Sequence, residues 1–546
     1  MRWEKRGDYD SLGQMISQRD TGREEDLPVP GLREAADLII SCAAAYGADS
    51  ITVVGDYDAD GIVSTINVTS SVLDRFGARP RVLFPRRFSD GYGLNTEMAD
   101  KIEAKLLVTV DNGIAAVDAI RKAKEKGMQV VVIDHHQMRD DGLLPPADVI
   151  VDPHVTGGEF TGYCAAGLTF KLARMITDSQ ELLDKLLVLT GIATVADVVP
   201  LLSENRAIVK ASLSLINQGV ATCGLRMLLG DRDVLTDVDY GFFLGPVFNA
   251  AGRMIDTGAM AVFNTVSYDG PENDKVREFA EFLLAVNRQR KELSGRYSEE
   301  ALQMLGSSEG PVVLLMPEVS EGLVGIVAGR ISEELQVPSI VLTVSRKDPG
   351  VYKGSGRSAG DFDLKAALDR CKDHLKGYGG HKGAAGLTVA PADLEAFREA
   401  FIKSAEGFAF PDRDVLFYDA AVKPDQVAPA LACQEGAGPY GEAFERPIIK
   451  LEGFEAEERF GSYFKLMGKE NADVKVFGPG FDLVMFGMAE RYRMAGYPRR
   501  MDVLGEMSYN HFGGRSYVQV RAQDFMSLED RQTPQAKELS ELLNFL

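Results

Sequence analysis

The chain has 546 residues, with 81 acidic against 60 basic side chains and a formal net charge of −21. A chain of this length forms about three or four domains with a sizeable core. Its acidic balance opposes long-range attraction of nucleic acid, so any polyanion site must concentrate its cations locally. The 5 cysteines (Cys42, Cys164, Cys223, Cys371, Cys433) lack paired spacing, which argues against a disulfide framework and a thiolate zinc site. No apolar run approaches the roughly 18 residues of a membrane span and no signal-peptide core follows the first residues, so a cytoplasmic protein with no membrane partner is expected.

Residues 1–30 are polar and of mixed charge, with Pro28 and Pro30 at the entry to the globular part, and read as a loosely docked N-terminal arm. An alanine-rich pattern predicts a helix over 32–46, then a strand over 51–54 running into Asp56, Asp58 and Asp60, then a helix from Gly61. The same succession recurs where 106–110 ends in Asp111 and Asn112, and where 130–133 runs into Asp134, His135 and His136. A further apolar segment, 186–195, leads to Asp197 and is expected to be a fourth strand end of the same sheet.

Short runs rich in β-branched residues fit a parallel sheet covered on both faces, whose ligand site lies beyond the strands' carboxyl ends. Any single aspartate there is explained by a helix cap or an Asx-turn. Together they gather more negative charge than a fold tolerates without counter-ions, and divalent cations are the natural ones. Carboxylates with imidazole as the minority ligand and no thiolate favour Mn2+ or Mg2+ over zinc, with two ions rather than one.

Farther along, Arg86 and Arg87 lie in a glycine-containing loop, PRRFSDGYGL, where a guanidinium fork suits a phosphate. Asp152-Pro153-His154 reads as a turn in preference to a ligand group. Residues 272–305 carry apolar positions at helical spacing, with Gly295 marking a kink or the helix's end. Strands are predicted at 312–315 and 340–342, and the glycine-rich loops around Lys353 to Arg357 and Tyr378 to Gly383 each carry a cation beside exposed backbone N–H groups. From about 412 to 528 short alternating segments predict a small β-barrel. Its aromatics Tyr463, Phe464, Tyr509, Phe512 and Tyr517 are candidates to stack bases, with Lys465, Arg499, Arg500 and Arg515 near the backbone.

The motifs GDYDADG, VDNG, DHH and ADVVPL, in this order and followed by GPVFNAAGR, GSGRS and GGH, resemble those of the DHH phosphoesterase superfamily. Within it the resemblance is to the RecJ-like family of 5′-to-3′ single-strand-specific DNA exonucleases, over roughly residues 50–525. The resemblance implies a doubly wound parallel-sheet α/β catalytic domain (31–271) after the arm, and a connecting helix (272–305). It further implies a second α/β, DHH-associated domain (306–410), an OB-like barrel (411–530) and a tail (531–546) read as a short helix. It implies two ions, one held by Asp60, Asp111, His135 and Asp197, the other by Asp58, Asp111 and Asp56, with Asp111 between them.

By the same resemblance His136 contacts the scissile phosphate or assists proton transfer, and Asp134 is either a support for the histidines or a turn residue. Arg87, Arg253, Ser355 and Arg357 would hold the 5′ phosphate, with His381 facing the catalytic site from the opposite wall. The implied activity is release of 5′-mononucleotides from single-stranded DNA in recombination or repair, with a helicase or single-strand-binding protein as a partner. The chain offers no histidine before the first aspartate pair, where certain superfamily members place one and Asp56 would serve, and it departs from the RecJ-like pattern in having no Trp-His pair within 319–325. Two alternatives share the motifs: a phosphodiesterase of short oligoribonucleotides or cyclic dinucleotides, which needs no long strand-binding track, and a non-catalytic DNA-binding scaffold, which needs no intact ligands.

Overall fold

The structure, a computed structural model, describes residues 1–7, 11–19, 26–139, 141–232, 234–306, 310–512 and 515–529. It comprises two compact units, residues 22–413 and a second unit formed by residues 1–21 together with 414–546.

The first unit begins with a five-stranded, all-parallel sheet in the order Arg81–Leu83, Ile51–Val54, Leu106–Val110, Gln129–Ile133, Val149–Val151. The two-residue periodicity of the strands sends alternate side chains to opposite faces. Val53, Val108 and Val131 join the helix Leu32–Tyr46 in one core, whereas Val54, Leu107 and Val132 join the helix Val117–Glu125 in another. With both faces covered the strands read as continuous apolar runs, which is why they are legible in the sequence.

Strand order reverses between Ile51–Val54 and Leu106–Val110, the two strands that end in Asp56 and Asp111. A crevice opens at such a switch point because the connections leave in opposite directions. The helix Ala59–Phe76 that follows the first strand is buried nearly throughout, so its polar residues need internal partners. Asn67 supplies three, donating Nδ2 to Ala166 O, Thr169 Oγ1 and Thr190 Oγ1.

The apolar segment expected as a fourth strand end is a helix, Gln180–Ala196, with Asp197 at its C-terminal cap. An apolar run of that length is ambiguous by periodicity, and here Leu186, Val188, Leu189, Ile192 and Ala193 all enter the helical core behind the sheet. Asp152 caps the one-turn helix Pro153–Thr156 by accepting from His154 N, as a turn residue does.

The helix Asp274–Leu305 starts from an Asn273 cap and continues through Gly295, where a Cβ would meet nothing within 4 Å. It leads to a mixed five-stranded sheet in the order Gly377–Gly380, Ala384–Val389, Tyr352–Arg357, Ser339–Val344, Val312–Leu315, on which the helix Val324–Leu335 packs.

In the second unit a seven-stranded sheet is dominated by the hairpin Arg500–Phe512 and Arg515–Ser527. The N-terminal segment is not the loosely docked arm that its composition suggests. Its strand Arg2–Lys5 pairs in parallel with Val415–Tyr418, Trp3 Nε1 donates to Asp524 Oδ2 at 2.7 Å, and Arg19 meets Asp419 at 3.0 Å. These partners lie about 400 or more residues away in the chain, beyond the reach of a local pattern.

Tyr463 and Phe464, candidates for stacking, turn instead into an aromatic cluster: Phe464 stacks on Tyr497 at 4.9 Å and packs edge-on against Tyr492. Tyr509 and Tyr517 remain exposed. The side chains of Phe512 and Arg515, the turn at Gly513-Gly514 and the terminal helix expected in 531–546 lie outside the described residues. No helix of the described residues is long and apolar enough to cross a membrane.

Candidate metal centre and phosphate cavity

Beyond Val54 the chain folds tightly over the next helix. A Cβ on Gly61 would stand 2.5 Å from Asp56 N, so only glycine permits this approach. Asp58 caps the helix by accepting from Asp60 N and Gly61 N, and Ala59 N is held by Asn249 Oδ1 at 2.7 Å. Asp60 points across the crevice to the start of the helix Ala165–Ile176, where its two oxygens accept from Ala165 N and Ala166 N at 2.8 Å each.

At the end of the next strand Asp111 adopts a left-handed backbone, φ 60°, an uncommon state for a non-glycine residue that costs of order 1–3 kcal/mol and turns its carboxylate into the crevice. Asn112 secures this turn by donating to Val54 O and Val110 O and accepting from Leu94 N.

These placements converge on His135. Its Nε2 lies 3.2 Å from Asp111 Oδ1, 3.6 Å from Asp60 Oδ2 and 3.7 Å from Asp197 Oδ2. Asp56, Asp58 and Asp111 form a second convergent group, with ligand atoms within 4.8 Å of one another. Asp56 Oδ1, Asp111 Oδ1 and His135 Nε2 are buried and have no hydrogen-bond partner. Orphaned acceptors in a dry site are costly unless a cation completes them, and carboxylate oxygen with imidazole nitrogen suits a hard divalent ion. The residues therefore fit two such ions sharing Asp111.

Burial raises the carboxyls of Asp56, Asp111 and Asp197 well above the usual range, reinforced by the neighbouring aspartates, and Asp60 rises to about 6 for the same reasons. His135 is pushed down to about 4, by burial first and then by the charge of His136. A neutral imidazole beside carboxylates is what a metal ligand requires.

His136 behaves oppositely. Burial, the largest single influence, opposes its charge, yet the 2.8 Å hydrogen bond from Nδ1 to Asp134 Oδ1 and the charges of Asp134, Asp197 and Asp58 together outweigh it and raise the imidazole to about 9. Asp134 also accepts from His135 N, His136 N and Ile114 N, so it supports both histidines as well as shaping the turn. Tyr92 OH, unassigned from the sequence, donates to Asp111 O at 3.1 Å and meets the His136 ring.

Beside this cluster lies a cavity of about 250 Å³ lined by Arg87, Arg253, Ser355, Arg357 and Lys353, among others. Tyr57, between Asp56 and Asp58 in sequence, and Tyr92 also line it, so the two sites adjoin. Arg87 stacks over the Tyr57 ring at 3.9 Å, and its Nε is buried without a partner. Arg357 donates to Ser355 Oγ at 2.9 Å. Burial, then the charge of Arg87, lowers Arg253 to about 10, and burial also lowers Arg357.

Guanidinium groups depressed by burial and mutual repulsion make a receptor for an anion. Val324 and Gly325, the first residues of the helix Val324–Leu335, also line the wall, and Gly325 leaves room for Ser355 Oγ, 3.0 Å from where a Cβ would sit. His381 does not line this cavity. It is exposed on the turn after Gly377–Gly380, with Nδ1 accepting from Gly383 N, and feels the charges of Arg357 and His136.

Carboxylates and imidazoles at the switch point of a parallel sheet, beside a cavity whose arginines come from that domain and from a second one, define a DHH-type phosphoesterase. Accordingly the DHH family, N-terminal domain, matches residues 50–194, the DHHA1 domain matches 309–407 and the RecJ OB domain matches 418–524.

Among curated proteins the chain is 31% identical to the single-stranded-DNA-specific exonuclease RecJ of Dickeya dadantii over 86% of each chain. It is 32% identical to that of Salmonella typhimurium, spanning 88% of this chain and 87% of the relative. It is 30% identical to that of Bacillus subtilis, of whose length it spans 65%. The chain belongs to the RecJ family. The structure of RecJ in complex with Mn2+ from Thermus thermophilus superposes with a TM-score of 0.78 at 27% identity, covering 93% of this chain and 74% of the other. A structure of the same protein in complex with Mg2+ gives 0.72 at 25%, covering 94% and 74%.

Proposed function

We propose that this chain hydrolyses single-stranded DNA from its 5′ end, releasing 5′-mononucleotides by a two-metal mechanism in recombination or repair. The observation that carries the reading is the adjacency of two sites: an acidic crevice with three orphaned ligand atoms, and an arginine cavity sharing Tyr57 and Tyr92 with it. Asp60, Asp111, His135 and Asp197 would hold one Mn2+ or Mg2+ ion, and Asp56, Asp58 and Asp111 the other. When bound, such a pair supplies Lewis acidity to the scissile phosphate and lowers the pKa of an attacking water.

The chain's own residues do the rest. Arg87, Arg253, Ser355 and Arg357 seat the terminal 5′ phosphate and thereby count one nucleotide into the crevice. Water attacks the next phosphorus, the bond to the 3′ oxygen breaks, and the shortened strand carries a new 5′ phosphate for the next cycle. His136, whose Nδ1 is fixed by its 2.8 Å hydrogen bond to Asp134 Oδ1, would contact the scissile phosphate or assist proton transfer to the departing oxygen. The second unit would bind the strand farther along, with the exposed Tyr509 and Tyr517 as stacking surfaces. A helicase or a single-strand-binding protein that frees or delivers a strand is the proposed protein partner.

The test is digestion of long single-stranded DNA labelled at either end, with manganese, beside duplex, RNA and dinucleotide controls. Stepwise release of the 5′ label alone supports the reading. Turnover confined to short RNA or cyclic dinucleotides would replace it with the small-substrate alternative, and absence of metal-dependent turnover would leave a binding scaffold.

A further inference from the structure

Arg87 and Arg253 reach the phosphate cavity from segments more than 160 residues apart, and a single carboxylate ties those segments together. Asp256 lies three positions after Arg253, just past the end of the helix Gly245–Met254. Its Oδ1 accepts from Phe88 N at 2.9 Å and its Oδ2 accepts from Ser89 Oγ at 2.6 Å, so both oxygens are spent on the two residues that follow Arg87. The other side of the same loop is closed by Asp90, which accepts from Arg86 N at 2.9 Å and from the Arg86 guanidinium. Arg86 is thus occupied within the loop, whereas Arg87 is left over Tyr57 with no carboxylate partner among the described residues.

The helix end that carries Arg253 cannot shift to compensate. A Cβ on Gly252 would stand 2.3 Å from Tyr57 O, and one on Gly322 would stand 1.9 Å from Arg253 O. The Arg253 backbone is therefore wedged between the acidic loop and the second domain, and Asp256 is the side chain just past it that fastens the Arg87 loop to this fixed point.

We infer that Asp256 is a positioning residue for recognition of the 5′ phosphate: it docks the Arg87 loop onto the Arg253 helix so that the two guanidinium groups close on one terminal phosphate. This rests on the proposed role of the cavity. Asp256 touches neither substrate nor metal in this scheme, so its loss acts on recognition of the end and leaves the acidic crevice intact.

The experiment compares single-stranded DNA bearing a 5′ phosphate with the same strand bearing a 5′ hydroxyl, under manganese, for Asp256→Ala, Asp256→Asn, Arg87→Ala and the Arg87→Ala/Asp256→Ala double variant. Asp256→Ala loses both loop bonds. It should raise KM for the phosphorylated strand and reduce the preference for a 5′ phosphate by on the order of tenfold, with kcat at saturation retained. Asp256→Asn keeps one acceptor for Phe88 N and an amide that Ser89 Oγ can accept from, so it should restore most of the preference. In the double variant Asp256→Ala should remove no preference beyond that lost with Arg87, because both act through one contact.

If Arg87→Ala lowers the preference and Asp256→Ala does not, the positioning role is wrong while the cavity assignment stands. If Arg87→Ala leaves the preference intact, the cavity assignment itself fails. Additive losses, or loss of kcat on both strands alike, would identify Asp256 as a general structural support and overturn the inference.

Discussion

The acidic crevice and the arginine cavity are built on the same principle from opposite materials. Each crowds like charges into a buried place without full counter-ions, and each depends on a ligand of the other sign. They differ in how they are assembled. The carboxylates descend from strand ends and helix caps of one domain, where backbone hydrogen bonds hold Asp58, Asp60 and Asp134 before any ion binds. The guanidinium groups come from a loop, a helix end and a strand of two domains, oriented by stacking of Arg87 on Tyr57, by the bonds from Arg357 to Ser355 and Gly356, and by the Asp256 link between the Arg87 loop and the Arg253 helix. In the proposed function the crevice would set whether chemistry occurs, while the cavity would set which end of which strand is presented.

The largest effect should come from Asp111, shared by both ligand groups. Asp111→Asn should lower turnover on the order of 10³-fold or more, since it weakens both sites at once. In chelator the same variant should unfold at a higher temperature than the parent, because one buried like charge is gone. Thermal unfolding with and without manganese reads both: the ion should stabilise the parent, by about 2.7 kcal/mol at a hundredfold its Kd, and the variant far less.

Next comes the cavity. Arg357→Ala should cost about 1.5–3 kcal/mol of discrimination between 5′-phosphate and 5′-hydroxyl ends, with thermal stability changed little. An unchanged preference would separate the cavity from end recognition. Smaller still, Tyr517→Ala in the second unit should weaken binding of long strands by roughly 1 kcal/mol while sparing short oligonucleotides, as expected of one stacking surface among several. Equal losses on both lengths would bring Tyr517 into the catalytic step. Smallest, Gly295→Ala should stabilise the helix Asp274–Leu305 by roughly 0.5–1 kcal/mol with unchanged activity, because a Cβ there meets nothing.

The same contrast governs what could be read from the chain alone. Asp56, Asp111 and His135 were legible from physics, since buried parallel strands are continuous apolar runs and ligands gather at their carboxyl ends. Asp197 was legible as a residue but not as an element. Its apolar approach suits strand or helix equally, and only the core behind the sheet selects the helix. Asp134 stayed ambiguous between turn and support because its four hydrogen bonds depend on atom positions that spacing does not encode.

Arg87 and Arg357 show as cations in glycine-containing loops, Arg253 follows from family resemblance alone, and Asp256 and Tyr92 carry no pattern that assigns them a role. Tyr92 sits in the same loop as Arg87, and Asp256 three residues past Arg253, so proximity is the signal the sequence offers. The N-terminal strand is not legible in the sequence because its partners, Val415–Tyr418 and Asp524, join it only in the folded chain.

The account turns on the acidic crevice being a two-ion site centred on Asp111. Anomalous diffraction from manganese-soaked crystals tests this most directly. Two peaks about 3.5–4 Å apart, one on either side of the Asp111 carboxylate, are the result expected of a two-metal centre. A single peak, or density elsewhere with Asp56 and Asp58 left bare, would contradict it.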